Sequence, residues 1–225
     1  MSKRDTRERG VRYWNRVSGS TELVERLPWF GEWPALMRNA TGLTEGETVL
    51  DLGCGAGSFF GQLREMIGAD GELLGIDVAP KMIARAQARI ERAGWTNVAA
   101  RVADATDPEL PADLGVGRFD AAFAMYSISA MPDIAKAVDL AHAALRPGGR
   151  LFVADVRLVP GGKAAWLIRF LRGAYRRLAG ATGEDVVPYL RDRFDTVTVV
   201  GRRGEPTERQ PAHWPPLVLL VATKE

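Results

Sequence analysis

Cysteine is almost missing from this chain. Cys54 is the one thiol among 225 residues, which excludes an internal disulfide and any zinc site built from several cysteines. Histidine is scarce as well: His142 and His213 are the only imidazoles, no metal site is expected, and no strong general base stands out. Long apolar runs are absent, the longest falling far short of the roughly 18–20 residues that cross a bilayer. Met1 to Arg16 are polar and charged where a secretory signal would be apolar. A dense Lys/Arg block is also lacking. The net charge of +2 and the sequence pI of about 8.8 are only mildly basic, and nucleic acid is not an expected partner. No repeat recurs at a period of roughly 20–50 residues, which removes solenoids and propellers. What is left is an ordinary globular composition, 46% apolar and 26% charged, on a length that suits one domain. The single thiol fits a reducing cytoplasm, the expected location.

The chain is organised around Val49-Leu50-Asp51-Leu52-Gly53-Cys54-Gly55-Ala56-Gly57-Ser58. Thr48 to Leu52 is β-branched and aliphatic and reads as a buried strand. Three alternating glycines then make a turn that no side chain obstructs, so backbone can approach a ligand closely. Ser58 is placed to cap a helix whose apolar positions Phe59, Leu63, Met66 and Ile67 recur at helical spacing. Strand, glycine turn and helix start together describe a nucleotide site at the carboxyl edge of a doubly wound sheet. Cys54 reads as a small residue tolerated in a tight turn, in preference to a nucleophile.

A glycine turn does not name its ligand, but its neighbours do. The dinucleotide fingerprint G-x-G-x-x-G rests a pyrophosphate on a helix N-terminus. Here the pattern is Gly53-x-Gly55-x-Gly57, with Ser58 three positions after Gly55. Asp51, one residue short of the first glycine, would repel a pyrophosphate and attract a cation. S-adenosylmethionine carries a sulfonium and an ammonium and no phosphate. On these residues the sequence resembles the class I S-adenosylmethionine-dependent methyltransferases, whose first motif is D/E-x-G-x-G-x-G. A nicotinamide-dependent oxidoreductase and a purely structural turn are the alternatives.

From residue 48 strand and helix alternate, which argues for an α/β domain with a parallel sheet and right-handed crossovers. Strands are expected over Thr48–Leu52, Glu72–Asp77, Asn97–Val102, Phe119–Ala124 and Leu151–Val156. Pro80 suits a helix N1 position, Met82, Ile83, Ala86 and Ile90 form that helix's apolar stripe, and Gly94 ends it. A further helix runs through Ile134, Val138, Ala141 and Leu145 and is stopped by Pro147-Gly148-Gly149. Beyond strand five the alternation lapses. Lys163–Ala179 reads as a helix, Phe194–Val200 as a strand, residues 201–216 as a loop and Leu217–Ala222 as the last strand. With only a loop between them, the last two strands should be antiparallel. Seven strands, mostly parallel with a terminal antiparallel hairpin, match the Rossmann-like doubly wound sheet that the resemblance implies from about residue 45 to 225. Residues 1–225 are therefore expected to form a single methyltransferase domain, with 47–225 as its cofactor-binding core. The segment 1–46 carries Tyr13, Trp14, Trp29, Phe30 and Trp33, enough rings for one or two helices packed on the core. The resemblance adds that this segment is a lid over the cofactor cleft.

The resemblance also assigns roles along the sheet edge. Asp77, 20 residues beyond Gly57, is expected to accept hydrogen bonds from both ribose hydroxyls, its alternative being a cap for the helix at Pro80. Val78 and Met82 would pack against adenine. Asp104-Ala105 resembles the adenine-binding motif, with Asp107 as a rival acid. Asp51 should face the ammonium, Gly53, Gly55 and Gly57 should supply room and backbone donors, and Met125 should lie close to the transferred methyl. Tyr126 is the best-placed polar side chain for orienting a substrate. His142 reads as an exposed structural residue, while His213 and Trp214 could reach the substrate from the 201–216 loop.

The acceptor is less defined. The Lys163–Ala179 helix is basic and amphipathic, with Arg169, Arg172 and Arg176 along one side and Trp166, Phe170 and Tyr175 nearby. It reads either as a peripheral membrane contact or as a cover helix with a solvated arginine face. Tyr126-Ser127-Ile128-Ser129-Ala130-Met131-Pro132-Asp133, with Pro188-Tyr189-Leu190-Arg191 and Arg193-Phe194, resembles bacterial lipid-headgroup N-methyltransferases, relatives of the ubiquinone/menaquinone enzymes. The expected function is methylation of a small or lipidic molecule, N-methylation of a lipid headgroup amine in the finer reading. O- or C-methylation of a quinone or secondary metabolite is one alternative, and a non-catalytic adenosylmethionine-binding protein another. Protein and nucleic-acid methylation are disfavoured, because no Asn/Asp-Pro-Pro-aromatic motif follows strand four.

Overall fold

A computed structural model describes residues 3–19, 31–157, 165–179, 184–207 and 217–225. Trp29, Phe30, Lys163, His213 and Trp214 lie outside these residues, as do the side chains of Tyr175 and Leu178. Helices α1 (Lys3–Val17) and α2 (Trp33–Thr41) precede the sheet. Then come β1 (Thr48–Leu52), α3 (Phe60–Ile67), β2 (Glu72–Asp77), α4 (Pro80–Ala93), β3 (Val98–Val102), α5 (Leu110–Leu114) and β4 (Phe119–Met125). A 3₁₀ turn at Ile128–Ala130 leads into α6 (Ile134–Ala144) and β5 (Leu145–Val156). Helices α7 (Ala165–Ala179) and α8 (Val186–Arg193) and strands β6 (Thr196–Val200), β7 (Pro206–Thr207) and β8 (Leu217–Thr223) complete the described chain.

The strands form one sheet in the order β3-β2-β1-β4-β5-β8-β6-β7. Neighbours from β3 to β5 are parallel, and β8 is antiparallel to both β5 and β6. The two-residue β7, paired with Val199 and Val200, adds an eighth strand to the seven expected. Its Pro206 sits at the edge of the sheet, where a missing N–H is tolerated.

The strand order reverses between β1 and β4, so their carboxyl ends open a crevice there. Both faces of the central strands are covered. On one side Leu50 and Leu52 join side chains of α5, α6 and α8. On the other side Val49 joins Trp33, Leu36 and Met37 of α2, Leu63 and Met66 of α3, and Ile83 and Ala86 of α4. A central strand buried on both faces explains the uninterrupted aliphatic run at Thr48–Leu52.

Three local expectations need correction. Ser58 does not cap α3: the N-cap is Phe59, in helical conformation and without a side-chain cap. The glycine turn runs on past Ser58, with the Gly57 N–H donating to Cys54 O and the Phe60 N–H to Gly57 O. α6 ends at Ala144, and β5 begins at Leu145, which pairs with Phe119. Pro147-Gly148-Gly149 lies within this strand because Lys224 holds it: Gly148 N–H donates to Lys224 O and Lys224 N–H to Gly149 O. The short helices α5 and α8 were not foreseen.

Candidate active site

The carboxyl ends of β1, β2 and β4, together with α1, α2 and the segment after β3, line an open cavity of about 400 Å³. It is mostly apolar with a few convergent acids, the usual character of a small-molecule site. Asp51, Gly53, Gly55, Asp77, Val78, Met82, Asp104, Ala105, Met125 and Tyr126 all line it. Gly57 does not. Its N–H is turned inward to Cys54 O, and a Cβ there would strike the Phe60 ring at 2.6 Å.

Asp51 sits at the cavity's floor, 2% exposed, and its Oδ1 has no hydrogen-bond partner. Burial first, and then the nearby Asp77 charge, raise its pKa from 3.8 to about 7. A carboxylate so placed is short of a cationic donor, and an ammonium in the cavity would supply it. Asp77 is better satisfied. Its Oδ2 accepts the Gly55 N–H at 3.0 Å and its Oδ1 the Ala79 N–H at 2.8 Å. Burial still raises its pKa against these two bonds. Asp77 therefore braces Gly55 and Ala79 while lining the cavity; α4 has no side-chain cap, so the capping alternative does not hold.

The glycines do not act as expected of free donors. Gly53 N–H goes to Ile76 O at 2.8 Å, Gly55 N–H to Asp77 and Gly57 N–H to Cys54 O. Gly55 does give room, since a Cβ there would meet only Met82 Sδ at 3.9 Å.

At the other end Asp104 Oδ1 accepts from the Thr106 N–H and hydroxyl at 2.9 and 2.7 Å, and its Oδ2 pairs with Arg7 Nε of α1 at 2.5 Å. Asp107 is exposed, occupied by the Glu109 N–H at 3.0 Å, and away from the cavity lining.

Past β4 the backbone is strained. Tyr126 has φ +57, the only non-glycine positive φ among the described residues. The surroundings hold it there: Tyr126 N–H donates to Ala154 O at 2.7 Å and Ser127 Oγ to Leu52 O at 2.6 Å. Two residues on, Ser129 N–H and Oγ each donate to the wholly buried Asp155 at 2.7 Å. Desolvation raises Asp155 to about 6, against the hydrogen bonds it accepts. The Tyr126 ring meets Trp33 edge-on at 6.0 Å, and Trp33 meets Phe59 at 5.9 Å, giving an aromatic wall. Burial and the Asp155 charge raise the Tyr126 phenol, so it stays protonated and is a hydrogen-bond donor, not a base.

A family model described as a methyltransferase domain matches residues 43–186 of this chain. The chain belongs to the methyltransferase-domain family. It is similar to the aklanonic acid methyltransferase DauC of Streptomyces sp. (strain C5), 37% identical over 106 residues, covering 47% of this chain and 46% of that protein. It is also similar to the ubiquinone biosynthesis O-methyltransferase of Leptothrix cholodnii, 30% identical over 152 residues, covering 66% of this chain and 60% of that protein. The chain thus spans about half the length of the curated relatives it matches. A crystal structure of a SAM-dependent methyltransferase from Aquifex aeolicus superposes with a TM-score of 0.62 at 22% identity, covering 88% of this chain and 92% of that one. The fold is that of the class I S-adenosylmethionine-dependent methyltransferases.

Within this methyltransferase domain several cavity residues carried no sequence motif. Arg7, Gly10 and Trp14 of α1 and Trp33 of α2 line the cavity, yet only their aromatic density stood out in the sequence. Asp155 had a readable signal, an acid near the carboxyl end of a strand, as at Asp77. His142 is half-buried rather than exposed, meets Phe194 edge-on at 5.2 Å and lies away from the cavity. Cys54 is buried, and desolvation pushes its thiol well above 9.0, which suits the small-residue reading. Among the described residues, no cluster of three His, Cys, Asp or Glu could hold a metal, and no helix is long and apolar enough to cross a membrane.

Proposed function

We propose that this protein transfers the methyl group of S-adenosylmethionine to a small, largely apolar acceptor. The observation that carries the reading is Asp51: a buried carboxylate oxygen without a partner, facing a cavity in a class I methyltransferase fold. In the proposed site Asp51 binds the ammonium, Asp77 the ribose hydroxyls, and Asp104 with the Ala105 N–H the adenine edge. Val78 and Met82 pack on the adenine face, and Gly55 leaves the room beside them. When bound, the cofactor supplies an electrophilic methyl on sulfur, open to in-line attack by an acceptor lone pair. Met125 flanks that methyl and the Tyr126 hydroxyl orients the acceptor as a donor. Trp33 and Phe59 keep water from the acceptor end. Residues 1–46 act as the lid, with Arg7 and Trp14 closing the adenine side.

In the finer reading the acceptor is a lipid headgroup amine, met at a membrane surface through α7. The apolar cavity wall and the segment from Tyr126 to Asp133 support it. An amine that arrives deprotonated needs no base, and Tyr126 offers none. The second reading is O-methylation of a quinone or secondary metabolite, favoured by the similarity to DauC and to the ubiquinone biosynthesis enzyme.

Incubating the protein with methyl-labelled S-adenosylmethionine and whole-cell extract, then splitting organic from aqueous phases, tests both. Label in the organic phase is expected. Label only in the aqueous phase removes the lipid and quinone acceptors, and no label in either removes methyl transfer. Asp77→Ala should weaken S-adenosylmethionine binding by about 1–3 kcal/mol through lost ribose hydrogen bonds. Unchanged affinity in calorimetry would sink that role.

A further inference from the structure

Helix α7 presents an unusual outer face. Trp166 and Phe170 are 67% and 68% exposed and lie one turn apart. Arg169, Arg176 and Arg177 are exposed on the same arc, while Ile168 on the opposite side is fully buried. Arg172 is half-buried, so the exposed basic set differs from the Arg169, Arg172 and Arg176 row expected from spacing. The helix contains no acid, and none of its four arginines makes an ion pair among the described residues. A Cβ on Gly173, between Arg169 and Arg176, would meet nothing within 4 Å, so the face is open at its middle.

Exposed aromatics beside arginines that make no ion pair among the described residues complement one kind of surface, an anionic bilayer. There the rings enter the headgroup layer and the guanidinium groups pair with phosphates. A nucleic acid would satisfy the arginines but leave both rings in water. An acidic protein surface would need an apolar pocket for two large rings standing proud of a convex helix.

The inner side of α7 leads to the cofactor cavity. α7 packs on α1, and α1 packs in turn on α4. Two polar latches hold α1 down: Asn15 Oδ1 accepts the Lys81 N–H at 3.0 Å, and Arg7 pairs with Asp104. Trp14 and Val17 rest on Ala56, Ala79 and Met82. Cavity wall, α1 and α7 are therefore one contiguous packed stack. A ligand on either side that requires α1 to be seated favours the other, and such coupling is reciprocal.

We propose that the outer face of α7 docks on an anionic lipid bilayer, and that through α1 docking and cofactor binding strengthen each other. The docking half stands on α7 alone, and the coupling half rests on the proposed S-adenosylmethionine site. The test is sedimentation of the full chain with phosphatidylcholine–phosphatidylglycerol vesicles, with phosphatidylcholine vesicles as the neutral control, with and without S-adenosylmethionine. Calorimetry of S-adenosylmethionine with and without vesicles gives the reverse coupling.

Anionic vesicles should bind the protein and neutral ones should not. Arg169→Gln, Arg176→Gln and Arg177→Gln together should weaken binding roughly a hundredfold, about 1 kcal/mol per arginine. Trp166→Ala with Phe170→Ala should weaken it separately, at unchanged salt dependence. Each ligand should tighten the other by the same factor, at least about fivefold. Absence of vesicle binding, binding that both variants retain, or RNA binding in its place overturns the docking. Vesicle binding with both affinities unmoved overturns the coupling. Vesicle binding by a protein that takes up no S-adenosylmethionine overturns the coupling and the cofactor assignment while the docking stands.

Discussion

Asp51→Asn should weaken S-adenosylmethionine binding by two orders of magnitude or more while making the ligand-free protein more stable. Both effects come from one buried oxygen. Asp51 is 2% exposed, its Oδ1 has no partner, and its pKa is about 7 instead of 3.8. The sign of the stability effect follows from proton counts. Between these two pKa values the folded chain holds a proton that the unfolded chain has released, so stability falls as pH rises through that window. The penalty is absent below about pH 4 and complete above about pH 7, where it reaches on the order of 4 kcal/mol. Asparagine never ionises. The variant should therefore melt with the wild type at pH 4 and several degrees above it at pH 8. A melting point at or below wild type at pH 8 would show that Asp51 is not strained in the empty cavity.

Binding runs the other way. An ammonium beside the carboxylate favours its charged form, so wild-type affinity should decline as pH drops below about 7, where Asp51 must first lose its proton. Removing one partner of a buried charge pair costs about 3–5 kcal/mol. If Asp51→Asn binds S-adenosylmethionine normally by calorimetry, the ammonium contact is wrong. Stability given up to keep a charge ready for a ligand is the usual trade at functional sites.

The sequence made this carboxylate visible because its surroundings are local. Thr48–Leu52 and Glu72–Asp77 coincide with the observed strands, since continuous aliphatic runs and terminal acids are written in adjacent residues. α4 was equally plain, with Pro80 in its first turn and Gly94 at φ +66 closing it. What escaped depends on distant partners. Leu145 joins β5 because Phe119 pairs with it and Lys224 holds the glycines behind it, which overrides the helix-stopping look of Pro147-Gly148-Gly149. α8 was not assigned from the sequence, yet its Pro188 stands in the first turn, where a proline loses no helical hydrogen bond, and Asp185 caps the Val187 N–H. At the site the acids at strand ends could be read by position. The Arg7–Asp104 pair spans most of a hundred residues of chain, and the Ser129–Asp155 pair joins two separate elements, so neither has a local signature. The glycine turn was recognised, but its N–H groups are taken by Ile76, Asp77 and Cys54, and the tight fit at Gly53 and Gly57 depends on distant side chains.

That fit makes Gly53→Ala a strongly damaging small substitution in the loop. Gly53 has φ +70, which costs an alanine about 1–2 kcal/mol. A Cβ there would also lie 2.5 Å from Ser127 Cβ, a clash with a residue that cannot retreat, because Ser127 Oγ is bonded to Leu52 O at 2.6 Å. Overpacking of this kind adds about 1–3 kcal/mol. Gly94→Ala separates the two contributions: φ there is +66, but nothing lies within 4 Å of the added carbon, so only the conformational part should appear. In chemical denaturation Gly53→Ala should therefore lose at least about 1 kcal/mol more than Gly94→Ala. Because the clash is with Ser127 Cβ, Ser127→Gly should cost less in the alanine background than alone, by about 1 kcal/mol. Additive losses in that cycle would mean that Gly53 is required only for its backbone angle. A coupled pair would mean that the first glycine of the loop is there to let β1 and the segment carrying Tyr126 touch.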